Sequence, residues 1–249
     1  MLKEATDMAR LWCGTSGYSY QHWRSVFYPA DLPQGKWLEY YAQHFDTVEL
    51  NNPFYRLPER SAFENWRRRT PDGFIFAVKA SRYLTHVKKL ADPEEPLERI
   101  LSHSEGLGEK RGPILYQFPP SWEKDMERLE AFLKLLPRNL RHVFEFRNDT
   151  WHCDEVWRLL ERYSAAYCIM SSPGLPVHLK TTTDFSYIRM HSGGEETAGN
   201  YTDEHLETWA GLVDELLDKG DVYIYFNNDY RGYAVGNALT LRQMVVGDC

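Results

Sequence analysis

Residues 142–148 read HVFEFRN, and this stretch decides the fold. Glu145 and Arg147 share one face, opposite Phe144 and Phe146, which is the period of a β-strand. The run is apolar and aromatic until it ends, and it ends in charge. The same change recurs along the chain. Strand-like runs at 11–16, 47–52, 74–80, 112–118, 142–148, 166–171, 185–191 and 221–227 are rich in Val, Ile, Phe, Tyr, Leu or Cys, and turn or polar residues bound each one. Glu49, Asn51, Lys79, Gln117, Glu145, Arg147, Arg189, His191, Asn227 and Asn228 lie on these runs or just past them. A core built only for stability has no use for polar strand ends. A parallel barrel with its site at the carboxyl ends of its strands does.

Helical patterns separate the runs. Residues 35–45 place Trp37, Leu38, Tyr41 and Phe45 at helical spacing, and residues 59–69 place Phe63 and Trp66 on one face. Leu97, Ile100, Leu101 and Leu107 mark a third helix. Ser121, ahead of Trp122, Met126, Leu129, Phe132, Leu133 and Leu136, reads as the cap of a fourth that stops at Pro137. Residues 153–163 carry Val156, Trp157, Leu159 and Leu160. Residues 202–219 open on Thr202 as a cap and close on Gly220, and the last helix is expected over 235–246. Residues 172–184 hold two prolines and a threonine run, so a loop with little or no helix is expected there. Strand and helix alternate eight times with an irregular sixth unit. The expectation is an α/β fold, a single (β/α)8 TIM barrel spanning residues 1–249. An open doubly wound sheet would call for a glycine-rich phosphate turn after the first strand. Residues 14–17, GTSG, are too short for the dinucleotide fingerprint or the P-loop.

The formal net charge of −7 gives no broad positive surface for nucleic acid, and only a local basic cleft could supply one. Cys13, Cys153, Cys168 and Cys249 show no metal-ligand spacing and read as reduced thiols. The first residues are too polar for a signal peptide, and no run approaches the length of a membrane span, so a cytoplasmic protein is expected. The nine histidines include no HxH or HExxH pair. No metal and no cofactor is expected, although Glu49, Glu145 and His191 could assemble a site from separate strands and carboxylate oxygens could hold Mg²⁺. Ser16 does not match a nucleophile elbow.

The strand ends offer several chemistries. Glu145 with Glu49 is a paired-carboxylate arrangement for acid–base or glycoside work. Lys79 beside a carboxylate suits a general acid, an electrostatic clamp or, in a dry pocket, a Schiff-base nucleophile. His191 titrates near neutrality when unperturbed. Arg147 and Arg189 suit a carboxylate or phosphate. The plain alternative is that Glu49–Lys79 and Glu145–Arg147 are structural ion pairs plugging the barrel top. In residues 148–152, NDTWH, Asp149 or Thr150 suits a turn cap, Trp151 a ligand ring or the barrel rim, and His152 either catalysis or a solvent-facing helix start. In residues 227–237, Asn227, Asn228, Arg231, Gly232 and Gly236 suit a phosphate cradle or an ordinary turn.

Seven blocks carry a family resemblance. GTSGYSYQHWRSVFYP (14–29), TVELNNPFYRLP (47–58), FIFAVKASRYLTH (74–86), GPILYQFPP (112–120), VFEFRNDTW (143–151), DFSYIRMH (184–191) and VYIYFNND (222–229) resemble the YecE-like family, domain of unknown function 72. The resemblance covers nearly the whole chain. It implies a TIM barrel similar in outline to xylose-isomerase-like and endonuclease-type barrels. It also implies a pocket built from Tyr18, Trp23, Glu49, Asn51, Tyr55, Lys79, His86, Gln117, Glu145, Arg147, Trp151, His191, Asn227 and Asn228. It implies no established reaction. The fold analogy extends to abasic-site nucleases, but those need a cluster of histidines and acids for metals, which this sequence does not show. His152 and Cys153 after the tryptophan depart from the common pattern.

The combined expectation is an enzyme acting on a small, polar, anionic or sugar-like substrate. Glu145 would be base or electrostatic residue, with Glu49 as its paired acid and His191 and Lys79 as acid–base partners. Arg147 would hold the anion, and Asn227 and Asn228 would position it. The alternatives are a nucleic-acid-binding or nucleic-acid-processing protein and a small-molecule binder without turnover. Nothing in the sequence sets the oligomeric state.

Overall fold

The computed structural model describes residues 9–173 and 175–247; Cys249 lies outside them. The strands are β1 (Leu11–Thr15), β2 (Thr47–Leu50), β3 (Ile75–Lys79), β4 (Arg111–Phe118), β5 (His142–Phe146), β6 (Ala166–Ser171), β7 (Phe185–Met190) and β8 (Asp221–Phe226). All pair in parallel in the order β1-β8-β7-β6-β5-β4-β3-β2. Each begins and ends within two residues of its expected run. The TIM barrel expected from the sequence is the fold observed.

The seam between β1 and β2 has no ladder. It is bridged at Ser16 and Glu49, and Gly17 N–H donates to the Glu49 carbonyl at 2.8 Å. Gly14 permits that approach. A Cβ at this position would stand 2.4 Å from the Thr47 carbonyl oxygen, a backbone atom that cannot swing aside. Gly14→Ala is therefore expected to destabilise the barrel by about 2 kcal/mol or more, as overpacking does. Urea unfolding measures this, and wild-type stability in the variant would reject a tightly closed seam.

Strand parity sorts the side chains into two cores. Trp12, Ala77, Leu115, Val143, Tyr187 and Tyr225 fill the inside of the barrel. Cys13, Val78, Phe144, Phe146, Ile188 and Ile224 face outward to the helices. Glu49, Lys79, Gln117, Glu145, Arg147, Arg189 and His191 have the inward parity of the first set, and that places them in the barrel mouth.

The helices are α1 (Trp37–Tyr41), α2 (Asn52–Tyr55), α3 (Arg60–Arg68), α4 (Glu94–Ser104), α5 (Met126–Leu133), α6 (Asp154–Arg162), α7 (Asp203–Leu217) and α8 (Tyr233–Val246). Thr202 caps α7 as expected, accepting from the His205 N–H at 3.3 Å. Ser121 does not cap α5. Asp125 does, accepting from the Arg128 N–H at 3.0 Å, and residues 122–125 are non-helical. The last helix begins two residues before its expected start, after Gly232 in a left-handed conformation at φ 78. Among the described residues of 172–184 there is no helix. Thr182 fastens that loop to β6, donating to the Ala165 carbonyl at 2.7 Å and accepting from the Tyr167 N–H at 2.9 Å. Among the described residues no helix is long and apolar enough to cross a membrane.

Candidate functional site

Four strands, β2, β3, β5 and β7, send charge into one mouth. Arg189, on β7, lies at its base with 1% exposure. Its two terminal nitrogens reach both acids: Nη1 donates to Glu145 Oε2 at 2.6 Å, and Nη2 donates to Glu49 Oε1 at 2.8 Å and to Ser16 Oγ at 3.0 Å. Tyr187 donates to Glu49 Oε2 at 2.7 Å, and the Ser16 hydroxyl donates to Oε1. On the other acid, Arg147 Nε and Gln117 Nε2 (3.2 Å) both donate to Glu145 Oε1. Both carboxylates are thus fully engaged. The anticipated Glu145–Arg147 pair forms. The anticipated Glu49–Lys79 pair does not, because Arg189 takes the Glu49 carboxylate instead.

This arrangement sets the charges. Burial alone would raise the Glu145 carboxyl, but Arg189 and Arg147 more than offset it and hold the group well below the usual carboxylate range. Burial likewise acts to raise Glu49, and Arg189, then Lys79, bring it below its ordinary value. Both acids are ionised at neutral pH.

Lys79 differs. It ends β3 with 8% exposure, its ammonium 4.1 Å from the centre of the Phe54 ring. Among the described residues it has no hydrogen bond and no carboxylate within ion-pair distance. Burial, then the Arg189 charge, pushes its amine down to about 8, while Glu145 and Glu49 pull the other way. His86 packs edge-on to the same Phe54 ring, 5.1 Å away, and burial followed by Lys79 pushes its imidazole down to about 4. Its Nδ1 is 2.9 Å from Thr85 Oγ1.

His191 sits across the mouth. Arg147 Nη2 is 2.9 Å from its Nε2, and the Asn227 amide is 3.0 Å from its Nδ1. Guanidinium only donates, so Nε2 of the neutral ring accepts from Arg147, and the Asn227 atom that meets Nδ1 is its amide nitrogen, Nδ2. Burial pushes this imidazole to about 4, against the pull of Glu145 at 3.5 Å.

A groove of about 630 Å³ opens beside the charge cluster, lined in part by Gly17, Tyr18, Tyr20, Asn51, Tyr55 and Arg56. Asn51 joins groove and cluster. Its Nδ2 donates to Ser16 Oγ at 2.7 Å, and its Oδ1 is buried without a partner. Tyr18 accepts from Trp66 Nε1 at 3.1 Å, and Tyr55 projects into solvent.

Other expected site residues lie elsewhere. Trp23 is fully buried under the β1 loop and donates to the Asp229 carbonyl at 2.9 Å. Trp151 is fully buried outside the barrel, stacked on the outward-facing Phe146 and donating to the Trp122 carbonyl at 2.7 Å. Neither ring faces the mouth. Asn228 ties loops together, donating to the Gly199 carbonyl at 3.0 Å and to Asn237 Oδ1 at 2.9 Å. The expected cradle around Arg231, Gly232 and Gly236 is a 3₁₀ turn (Tyr230–Gly232) leading into α8. His152 meets Tyr167 at 2.8 Å and stacks on His178, away from the cluster. Asn148, not Asp149 or Thr150, caps the turn after β5. Ser16, Phe54 and Tyr187 belong to the site without having been anticipated. Two of them had a signal: Tyr187 shares strand parity with Arg189, and Ser16 with Gly14.

Among the described residues no group of three or more His, Cys, Asp or Glu side chains is placed to hold a metal ion. Of the anticipated Glu49–Glu145–His191 set, only Glu145 and His191 are adjacent, and both carboxylates already face guanidinium groups. Cys13, Cys153 and Cys168 are free thiols.

The family model described as "Protein of unknown function DUF72" matches residues 12–248. The UPF0759 protein YunF of Bacillus subtilis is 24% identical over 257 residues, covering 88% of this chain and 89% of that protein. The UPF0759 protein YecE of Escherichia coli K12 is 30% identical over 112 residues, 45% of this chain and 41% of that one. The crystal structure of a DUF72 family protein from Thermotoga maritima superposes with a TM-score of 0.84 at 33% identity, covering 95% of this chain and 99% of that one. With the family match running from β1 through α8, the chain belongs to the DUF72 family.

Proposed function

We propose that the protein is a cytoplasmic enzyme acting on a small, polar, anionic or sugar-like substrate by acid–base chemistry at the barrel mouth. One observation carries the reading. Three cations, Arg147, Arg189 and Lys79, face two carboxylates, and Lys79 is the cation left without a partner. A buried charge without a counterion is unfavourable, and an anionic ligand relieves it. Glu49 and Glu145 form the electrostatic frame. Lys79 is the group that gains and loses a proton, since an amine near 8 is poised for that at physiological pH. Arg147, whose side chain keeps 23% exposure, grips the anion, and Asn227 orients His191 beside it. The unpaired Asn51 Oδ1 accepts from a substrate hydroxyl.

Calorimetric titration with phosphate, glucose 6-phosphate and neutral glucose tests this. The anions are expected to bind, and to weaken by about fivefold or more as pH rises from 7 to 9 and Lys79 loses its charge. Equal affinity for glucose, or pH-independent anion binding, would contradict the assignment. Proton NMR of each bound compound over time then separates turnover from binding, and an unchanged spectrum for every ligand would mark a binder rather than an enzyme.

A further inference from the structure

We propose that Lys79 forms a covalent imine with a small carbonyl compound that carries an anionic group. This deepens the reading above, resting on it for where the ligand sits; the covalent step is a separate claim. Among the described lysines, Lys79 alone is both buried and without a hydrogen bond or ion pair. Lys110, the other buried one, donates to the Arg67 and Thr70 carbonyls at 2.8 and 2.7 Å. Lys36 and Lys134 are exposed and lie beside Glu39 and Glu130. A lysine becomes a nucleophile when desolvation or a neighbouring cation frees its lone pair, and Lys79 has both. At about 8, roughly a tenth of its amine is neutral at pH 7, against roughly one part in 2,500 for an ordinary lysine.

The surroundings also suit the product. An iminium keeps a positive charge on nitrogen, and the Phe54 face lies 4.1 Å from that atom. Glu49 and Glu145 lie close enough to stabilise the charge. Arg147 is placed to hold the ligand's anionic group. In the reaction the Nζ lone pair forms the C–N bond while the carbonyl π pair moves to oxygen. Oxygen gains a proton, and nitrogen loses one. The proton that the ammonium shed at the outset then adds to the carbinolamine hydroxyl, the nitrogen lone pair forms the C=N bond, the C–O bond breaks and water leaves. Counted from the ammonium form, no net proton is taken up, and no oxidant or reductant is needed. His86, packed on the same Phe54 ring and neutral at pH 7, is the side chain placed to carry the proton between nitrogen and oxygen.

The test incubates the whole protein with pyruvate and sodium cyanoborohydride at pH 7 and maps the reduced adduct by peptide mass spectrometry. The adduct is expected on Lys79 at least about tenfold faster than on Lys36 or Lys134, and faster with pyruvate than with neutral hydroxyacetone. Lys79→Arg should abolish the adduct at this position while leaving the slow labelling of Lys36 and Lys134 at its wild-type rate. Modification of Lys79 no faster than of Lys36 would overturn the imine; if phosphate still binds, the anion site survives that result. The wild-type measurement needs no variant to fold.

Discussion

Arg189→Met is expected to destabilise the folded chain by about 3–5 kcal/mol, the scale for breaking a buried ion pair from one side. Among the described residues Arg189 is the one cation bonded to both buried acids. Without it Glu145 keeps Arg147 and Gln117, but Glu49 keeps only Ser16, Tyr187 and the more distant Lys79. Burial, the largest influence on Glu49, would then act to raise its carboxyl above the unfolded value. The sign of the pH dependence follows. In the wild type both folded carboxyls lie below their unfolded values, so their contribution is present at neutral pH and is lost as pH falls through the folded values. In the variant Glu49 prefers its proton when folded, so mild acid should recover part of the loss. Replacing all three groups, as Glu49→Gln, Glu145→Gln and Arg189→Met, should restore most of the stability, because no unpaired acid then remains inside. Urea unfolding at pH 7 and pH 5 measures each variant. A single variant within about 1 kcal/mol of wild type would show that Arg189 does not hold the barrel mouth together.

Lys79→Met should act in the opposite direction, stabilising the protein by about 2 kcal/mol at pH 7 while weakening phosphate binding at least about tenfold. The folded amine lies near 8, below its ordinary 10.5, so folding disfavours its charged form. That penalty is fully present below pH 8. It fades between pH 8 and about 10.5, where the unfolded chain holds the proton that the folded chain has already released. The gap between wild type and variant should therefore close across that window. Buried tyrosines such as Tyr187 and Tyr225 act oppositely in the same range, but they are common to both proteins and cancel in the difference. A residue whose removal stabilises the fold and abolishes binding is retained for function. If Lys79→Met is instead destabilising at pH 7, the amine is part of the structural frame.

The barrel was legible because strand parity and polar strand ends are local signals. HVFEFRN shows both, and so do Tyr187 and Arg189 on β7 with His191 just past its end. Parity assigns a face but not a depth. Depth depends on how the strands are staggered around the barrel. That is why Arg189 and His191, two residues apart on one face, have different roles: the first is locked between acids at the base, and the second lies at the rim beside Arg147. Partner choice across the barrel is equally non-local, so Lys79 looked as suitable for Glu49 as Arg189 did. Past the strand ends parity fails altogether. Trp151 follows a strand whose charges point inward, yet it packs outward on Phe146 because its indole N–H finds the Trp122 carbonyl there. Trp23 is held the same way by the Asp229 carbonyl. Phe54 carried no warning, since only the folded α2 brings its ring beneath Lys79.

The behaviour of the Lys79 amine can be followed directly by NMR titration of its side-chain methylene next to nitrogen, with Lys79→Arg used to assign the signal. A midpoint near 8, rising when phosphate is added, is expected. A midpoint at the ordinary lysine value of about 10.4, unmoved by phosphate, would contradict a buried, partnerless cation at the heart of this site.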